Sequence, residues 1–331
     1  MELQSVGIIG AGAWGTALAV TTRRAGRDVR LWAHEPETVA AVNETHRNEI
    51  FLPGIALDPA IEATSSIDEI ANCDILLMVT PAQHLRGIAN ELAPHIRQGQ
   101  PLVLCSKGIE QATGELMSQL ATDLLPKAEI AVLSGPSFAA EVAAGLPAAV
   151  TLAVADETRG SALSHALSDA RFRCYWSRDI IGAEIGGAVK NVYAIAAGIV
   201  AGKGLGASAH AALVTRGFAE MARFGLALGA RLETMTGLSG LGDLVLTCGS
   251  PHSRNMSLGI ALGQGQTVEK ALDGRLTVTE GVPTARAMVE MAAARGIDMP
   301  IATAVHSVIS GSTTVDAAIE ALLARPLRSE M

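Results

Sequence analysis

The chain has 331 residues, of which 49% are hydrophobic, 18% charged and only 3% aromatic, with 34 glycines and a formal net charge of −8. This composition excludes a disordered chain and suits closely packed helices and tight strand-to-helix turns, and the length predicts two domains. The acidic balance argues against a nucleic-acid partner, which would leave a basic footprint, although a few lysines can still reverse the field inside one cleft.

Cys73, Cys105, Cys174 and Cys248 are far apart and form no C-x-x-C pair, so reduced core cysteines of a cytoplasmic protein are expected and no metal site is. The opening MELQSVGIIG has no basic n-region, and no leader is expected. No apolar run reads as a membrane span, the best candidate being interrupted by Lys190 and several glycines.

In chain order, VGIIG (6–10), VRLW (29–32), ILLMVT (75–80), LVLC (102–105), IAVLS (130–134), AAVTLAV (148–154) and FRCYWS (172–177) read as strands. Helical patterns at 14–25, 82–93, 114–124 and 157–168 separate them, and Ser66 with Glu69 has capping-box spacing for a further short helix. Uninterrupted apolar strands alternating with helices predict a largely parallel sheet covered on both faces, an α/β domain. From about residue 180 the strand signal fades. Helices are predicted at 182–201, 208–229, 255–263, 267–273, 283–295, 299–310 and 315–324, joined by glycine-rich connectors such as GLSGLGD (237–243). The expected division is therefore an α/β domain over 1–180 and an all-helical domain over 181–331.

Gly10-Ala11-Gly12-Ala13-Trp14-Gly15 follows the first strand and opens a helix, the context a dinucleotide fingerprint requires. Gly10 permits the turn, Gly12 lets backbone amides approach a pyrophosphate, and Gly15 allows close helix-to-strand packing. The helix then points its positive end at the phosphates. After the second strand the chain reads Trp32-Ala33-His34-Glu35, with no carboxylate at Ala33, so NADPH is expected to be accepted and NADH to remain possible.

Ligands of open α/β sheets lie beyond the carboxyl ends of the strands. There, LVLCSKG places Lys107, and AVLSGPSFA places Gly135 and Ser137 in a sharp turn suited to substrate oxygens. Within AEIGGAVKNVYAIAAG, Lys190 shares a helical row with Ala183, Gly187, Ala194, Ala197 and Ala201, small residues that let another backbone approach. An amine held there loses water, which lowers its pKa toward the range of a proton donor. Asp243, between glycine and an apolar turn, is an available partner, and Ser253-Arg254-Asn255 stand at a helix start where caps and dipole favour an anion.

These segments carry a family resemblance. GAGAWGTALA, NEIFLPG, SKGIE, LSGPSFAAEV, AVKNVYAIAAG, TRGFAEM, GLSGLGDLVLTC, SRN and TEGV occur in the order of bacterial NAD(P)-dependent glycerol-3-phosphate dehydrogenases, from about residue 5 to 310. The resemblance implies a Rossmann-type dinucleotide-binding domain joined to an all-helical substrate and catalytic domain, and interconversion of dihydroxyacetone phosphate and sn-glycerol 3-phosphate, feeding glycerophospholipid synthesis; the alanine- and glycine-rich helices of the second domain suit a homodimer interface. It implies Lys190 as catalytic proton donor and acceptor, and Lys107, Gly135, Ser137, Lys190, Asp243, Ser253, Arg254 and Asn255 as substrate contacts. Beside Gly10, Gly12, Ala13, Trp14 and Gly15, it implies His34, Lys107, Ala139, Arg254, Val278 and Glu280 as contacts of NADP or NAD. Ala209-His210 and Met235 depart from the family's usual residues, outside the central motifs. Two other readings stay open: a β-hydroxyacid or phosphogluconate-type dehydrogenase of the same architecture, and a dinucleotide sensor without turnover. The GLGDLVLTC and SRN segments favour the phosphoglycerol reading.

Overall fold

The computed structural model describes residues 3–274 and 278–327. Its first part runs β1 (Ser5–Ile9), α1 (Ala13–Arg24), β2 (Asp28–Trp32), α2 (Pro36–Thr45), β3 (Ile61–Thr64), α3 (Ile67–Ala71), β4 (Ile75–Met78), α4 (Leu85–Leu92), β5 (Gln100–Leu104), α5 (Met117–Leu124), β6 (Ala128–Ser134), α6 (Ala139–Ala143), β7 (Ala148–Val154), α7 (Glu157–Leu167) and β8 (Phe172–Ser177). The strands form one sheet in the order β3-β2-β1-β4-β5-β6-β7-β8, parallel throughout except between β6 and β7. The order reverses between β1 and β4, and that switch point is where such a sheet opens a crevice for a ligand. β4 and β5 are buried along their whole length because helices cover both faces, which is why their sequences are unbroken apolar runs.

At the far edge, β8 does not expose an open ladder. The carboxylate of Asp169 accepts from the Phe172 N–H at 2.6 Å. The Cys174 N–H donates to Ser168 Oγ at 2.9 Å, and its carbonyl accepts from Ser164 Oγ. Side chains on and just after α7 thus occupy backbone groups that would otherwise pair with another strand.

Among the described residues, only helices follow: α8 (Ile180–Gly202), α9 (Ala207–Ala227), α10 (Leu232–Met235), a π-helical turn (Leu238–Gly242), α11 (Asp243–Gly249), α12 (Arg254–Gly263), α13 (Val268–Leu272), α14 (Gly281–Ala294), α15 (Pro300–Ile309) and α16 (Val315–Leu323). They pack around α8, whose residues from Gly182 to Val200 are all buried. α8 and α12 meet backbone to backbone. A Cβ on Gly198 would lie 2.1 Å from the Met256 carbonyl oxygen, and one on Gly259 2.0 Å from that of Ile195. Gly202 and Gly263 repeat the contact one turn on.

α8 is also fastened to the sheet layer. The buried Glu184 carboxylate accepts from the Ser118 N–H at 2.8 Å and from its hydroxyl, closing the start of α5. Burial pushes this carboxyl up to about 7. Elsewhere Glu220 on α9 accepts from the Ile301 N–H at 2.8 Å and the Ala302 N–H at 3.2 Å, tying α9 to the first turn of α15.

The structure departs from the sequence reading at several points. β3 was not anticipated because IEAT alternates and is buried on one face only. α2 buries only Thr38 and Val42, so its apolar stripe is too thin to recognise. Ser66 does not complete a capping box; its hydroxyl donates to Asp68 instead. GLSGLGD is not a loose connector but a π-helical turn running directly into α11. The small residues of α8 do not serve one stripe, since the helix is surrounded. Ser134 meets it at Gly187, the Ser239 carbonyl at Gly186 and α12 at Gly198, whereas Ala201 is exposed. At 23 residues α8 is long and apolar enough to cross a membrane, contrary to expectation, but 89% of that window is buried inside the protein.

Candidate active site

The glycines after β1 answer different demands. Gly10, at φ +118°, turns the chain so closely under β4 that a Cβ would stand 3.1 Å from the Val79 carbonyl carbon. A Cβ on Gly15 would lie 1.8 Å from the Gly10 carbonyl oxygen, so this glycine sets how closely α1 packs. A Cβ on Gly12 would meet nothing within 4 Å. No neighbouring protein atom therefore requires glycine at 12, whereas close approach of a phosphate to the first turn of α1 would. Ala13 and Trp14 open α1. The Trp14 ring lies edge-on to Phe172 at 6.3 Å, and its buried Nε1 has no partner among the described residues.

Past β2, Ala33 is fully buried and donates its N–H to the Thr64 carbonyl at 3.0 Å. His34 and Glu35 are exposed, the His34 ring lying 6.2 Å from that of Trp32. These residues fit a dinucleotide at the switch point of the sheet.

At the ends of β5 and β6 two turns converge. Gly135 lets the chain pass β7 where a Cβ would stand 2.8 Å from Val150 Cα. Its carbonyl oxygen accepts from Lys107 Nζ at 3.1 Å and from Ser137 Oγ at 3.1 Å. Lys107 Nζ also donates to Asp243 Oδ2 at 2.8 Å. Lys190 Nζ forms an ion pair with the other carboxylate oxygen, Asp243 Oδ1, and donates to Thr247 Oγ1 at 2.9 Å. Asp243 is 0% exposed and Lys190 7%. A carboxylate buried between two ammonium groups leaves a local charge of +1, favourable to an anionic substrate or to negative charge developing on an oxygen.

The protons can be counted. Thr247 gives its hydroxyl proton to the Asp243 backbone carbonyl at 2.6 Å, so toward Lys190 it can only accept. Two of the three ammonium protons are thereby directed to Asp243 and Thr247, and one remains for a ligand oxygen. Burial lowers the Lys190 pKa to about 8. Asp243 opposes that shift and Lys107 adds to it. An amine of this kind can give or take a proton near neutral pH.

A second group surrounds the starts of α12 and α14. Ser253 caps α12 by accepting from the Met256 N–H at 3.2 Å, and Arg254 is its exposed first residue. Asn255 commits its side chain to the protein, donating to Asn191 Oδ1 at 2.9 Å and accepting from the Gly281 N–H at 2.9 Å. Its second Nδ2 proton and its backbone N–H in the first turn, beside the Arg254 guanidinium, remain available to an anion.

Glu280 accepts from the Ala82 N–H at 3.1 Å, while its other oxygen is buried without a partner among the described residues. Burial raises its pKa, against the pull of the Ala82 N–H and the charge of Arg254. Val278 is 40% exposed just before it, and Ala139 is the half-buried first residue of α6.

Lys107, Gly135, Ser137, Lys190 and Asp243 are thus joined in one hydrogen-bonded group, and Asn191 beside Lys190 links that group to Asn255. Thr247 and Asn191 were missed in the sequence. Thr247 stands four residues after Asp243, a spacing legible only once 243–249 is known to be helical.

Two family-wide sequence patterns match the chain: that of the NAD-dependent glycerol-3-phosphate dehydrogenase N-terminus over residues 5–160, and that of its C-terminus over residues 179–320. A glycerol-3-phosphate dehydrogenase [NAD(P)+] of Parvibaculum lavamentivorans is 59% identical over 330 residues, covering 100% of this chain and 99% of its own. One from Caulobacter vibrioides is 58% identical and covers 100% of both chains. The crystal structure of glycerol-3-phosphate dehydrogenase from Coxiella burnetii superposes with a TM-score of 0.92 at 36% identity, covering 97% of this chain and 99% of that one.

Proposed function

Because the chain belongs to the NAD-dependent glycerol-3-phosphate dehydrogenase family, we propose that its buried Lys190 is the proton donor and acceptor of an NAD(P)-dependent reaction that interconverts dihydroxyacetone phosphate and sn-glycerol 3-phosphate. The observation that carries this reading is the lysine held between Asp243 and Thr247 with its pKa lowered to about 8.

A bound dinucleotide supplies or accepts a hydride at the carbinol carbon. Everything else is the work of this chain's residues. The remaining Lys190 proton faces the ketone oxygen, polarises it, and passes to it as negative charge develops there. In the oxidising direction the neutral amine takes the hydroxyl proton. Asp243 fixes the direction of the ammonium and holds Lys107 beside it, so both cations stabilise the developing oxyanion. Gly135 and Ser137 line the same turn. Arg254, Ser253 and the first-turn amide of Asn255 hold the phosphate, and that remote binding energy aligns the reacting carbon.

Gly10, Gly12, Ala13, Trp14 and Gly15 would hold the dinucleotide, and His34, Lys107, Ala139, Arg254, Val278 and Glu280 would be its further contacts. Residues 1–180 then serve as the dinucleotide-binding domain and 181–331 as the substrate and catalytic domain. A cytoplasmic homodimer associating through the alanine- and glycine-rich helices, with its product feeding glycerophospholipid synthesis, completes the proposal.

The test is to mix the purified protein with NADPH and a panel of phosphorylated and carboxylated ketones. Dihydroxyacetone phosphate should be reduced far faster than any carboxylated ketone. In Lys190→Ala, turnover should fall by about 100- to 10,000-fold, the range of general acid catalysis, with NADPH still bound. Near-normal kcat in that variant refutes the role of the lysine. NADPH binding without oxidation by any ketone would favour the sensor reading.

A further inference from the structure

The glycine-rich turn is held from behind by a residue that the proposed site leaves unused. Between α2 and β3 the chain crosses the mouth of β1 as RNEIFLPGIAL (47–57), anchored by the buried Leu52 and Leu57. Asn48 in this segment is 2% exposed. Its Nδ2 donates to the Ala11 carbonyl at 2.8 Å and to Thr16 Oγ1 at 2.8 Å. Its Oδ1 accepts from the Phe51 N–H at 3.4 Å, which sets the amide group with its nitrogen toward the glycine turn. Thr16, fully buried in the first turns of α1, passes its own proton to the same Ala11 carbonyl at 3.3 Å. Two buried donors therefore converge on one carbonyl oxygen.

That oxygen belongs to the peptide joining Ala11 to Gly12. The peptide is planar and trans, so its C=O and N–H point in opposite directions. Fixing the carbonyl toward Asn48 and Thr16 turns the Gly12 N–H away from them, to the outer side of the turn. The flipped peptide would present a carbonyl oxygen there instead, and oxygen repels phosphate.

We propose that Asn48, with Thr16, is a positioning residue for the dinucleotide. It locks the Ala11–Gly12 peptide with its N–H toward the pyrophosphate and excludes the flipped, repulsive orientation. The inference rests on the reading that the Gly10–Gly15 turn takes the pyrophosphate. Asn48 touches no ligand itself; it acts through the peptide it orients.

Calorimetric titration of the full-length protein with NADPH, and with adenosine 2′-phosphate, which lacks the pyrophosphate, separates the possibilities. Asn48→Asp keeps the shape but sets an acceptor against the Ala11 carbonyl, and Thr16→Val removes the second donor. In each variant NADPH should bind about tenfold or more weakly, the effect of misplacing one hydrogen bond to a charged group, with adenosine 2′-phosphate changed by less than about twofold. Thr16→Ser, which restores a hydroxyl, should bind both ligands as the parent does.

Equal weakening of both ligands would mean a general loosening of the segment and would overturn the inference. So would unchanged NADPH affinity in both variants. If Asn48→Asp fails to fold, Thr16→Val and its serine counterpart decide alone. Failure of the parent protein to bind NADPH would instead defeat the underlying reading of the glycine turn.

Discussion

Replacing Asp243 by asparagine removes the one negative charge between Lys107 and Lys190 while keeping shape and an acceptor oxygen. Lys190 sits at about 8 because burial lowers it, Lys107 lowers it further and Asp243 holds it up. Without the carboxylate only the lowering influences remain, so the lysine must lose its proton more readily. Removing one partner of a buried ion pair costs about 3–5 kcal/mol, which at 1.36 kcal/mol per pKa unit sets an upper bound of about 2–4 units. The Lys107 side chain is 19% exposed and the substituted amide still accepts one hydrogen bond, so water and that amide recover part of this. A fall of about one to two units is expected, to between about 6 and 7.

The sign follows from the direction of reaction. Reduction of the ketone needs the ammonium, so it is fully active below the lysine pKa and lost as pH rises through it. In Asp243→Asn that loss should begin at least one pH unit lower than in the parent protein. Oxidation needs the neutral amine, and its acid limb should shift down by the same amount. The assay is kcat/KM for dihydroxyacetone phosphate with NADPH across pH 5.5–9.5, comparing the two proteins so that the substrate phosphate's own titration near pH 6 cancels. A basic limb that stays in place, or moves up, would refute the electrostatic account of the site.

Three further outcomes are expected. Gly12→Ala places a methyl group where nothing lies within 4 Å, at φ −66°, so stability should change by no more than about 0.5 kcal/mol while the Kd for NADPH rises tenfold or more; calorimetry and thermal unfolding check both halves. Gly198→Ala drives a Cβ to 2.1 Å from the Met256 carbonyl oxygen and should cost about 3 kcal/mol or more, seen as a lowered Tm, whereas Gly249→Ala, with nothing within 4 Å, should not. Arg254→Ala should raise the KM for dihydroxyacetone phosphate by about 10- to 100-fold through loss of charge-assisted hydrogen bonds; an unchanged KM would place the phosphate elsewhere.

What the sequence disclosed, and what it hid, divides along physical lines. Central strands are apolar on both faces, so ILLM and LVL announce themselves, and the G-x-G-x-x-G turn carries its own steric logic at Gly10 and Gly15. The edge strand IEAT and the thinly buried α2 carry no comparable signal, because solvent accepts polar residues at most of their positions. Lys190 and Asp243 were legible as charges in apolar surroundings. Thr247 was not, since a threonine in a helix draws no notice until its proton is known to be committed to the Asp243 carbonyl. Asn255 was legible only as part of a helix start suited to an anion; that its amide also engages Asn191 and Gly281, partners 64 and 26 residues away in sequence, was not. Spacing along one element is visible in a sequence; convergence from distant elements is not.

The glycine contacts between α8 and α12 bear on how the enzyme can move. Carbonyls lodged against bare Cα atoms over two successive turns leave neither helix room to slide or roll past the other. The amine near the middle of α8 and the guanidinium heading α12 are thus mounted on one inflexible frame, like the jaws of a fixed gauge. An opening that admits or releases the dinucleotide cannot come from this seam. On the proposed assignment of Lys190 and Arg254, the span offered to a three-carbon phosphate is set by that frame before either ligand arrives.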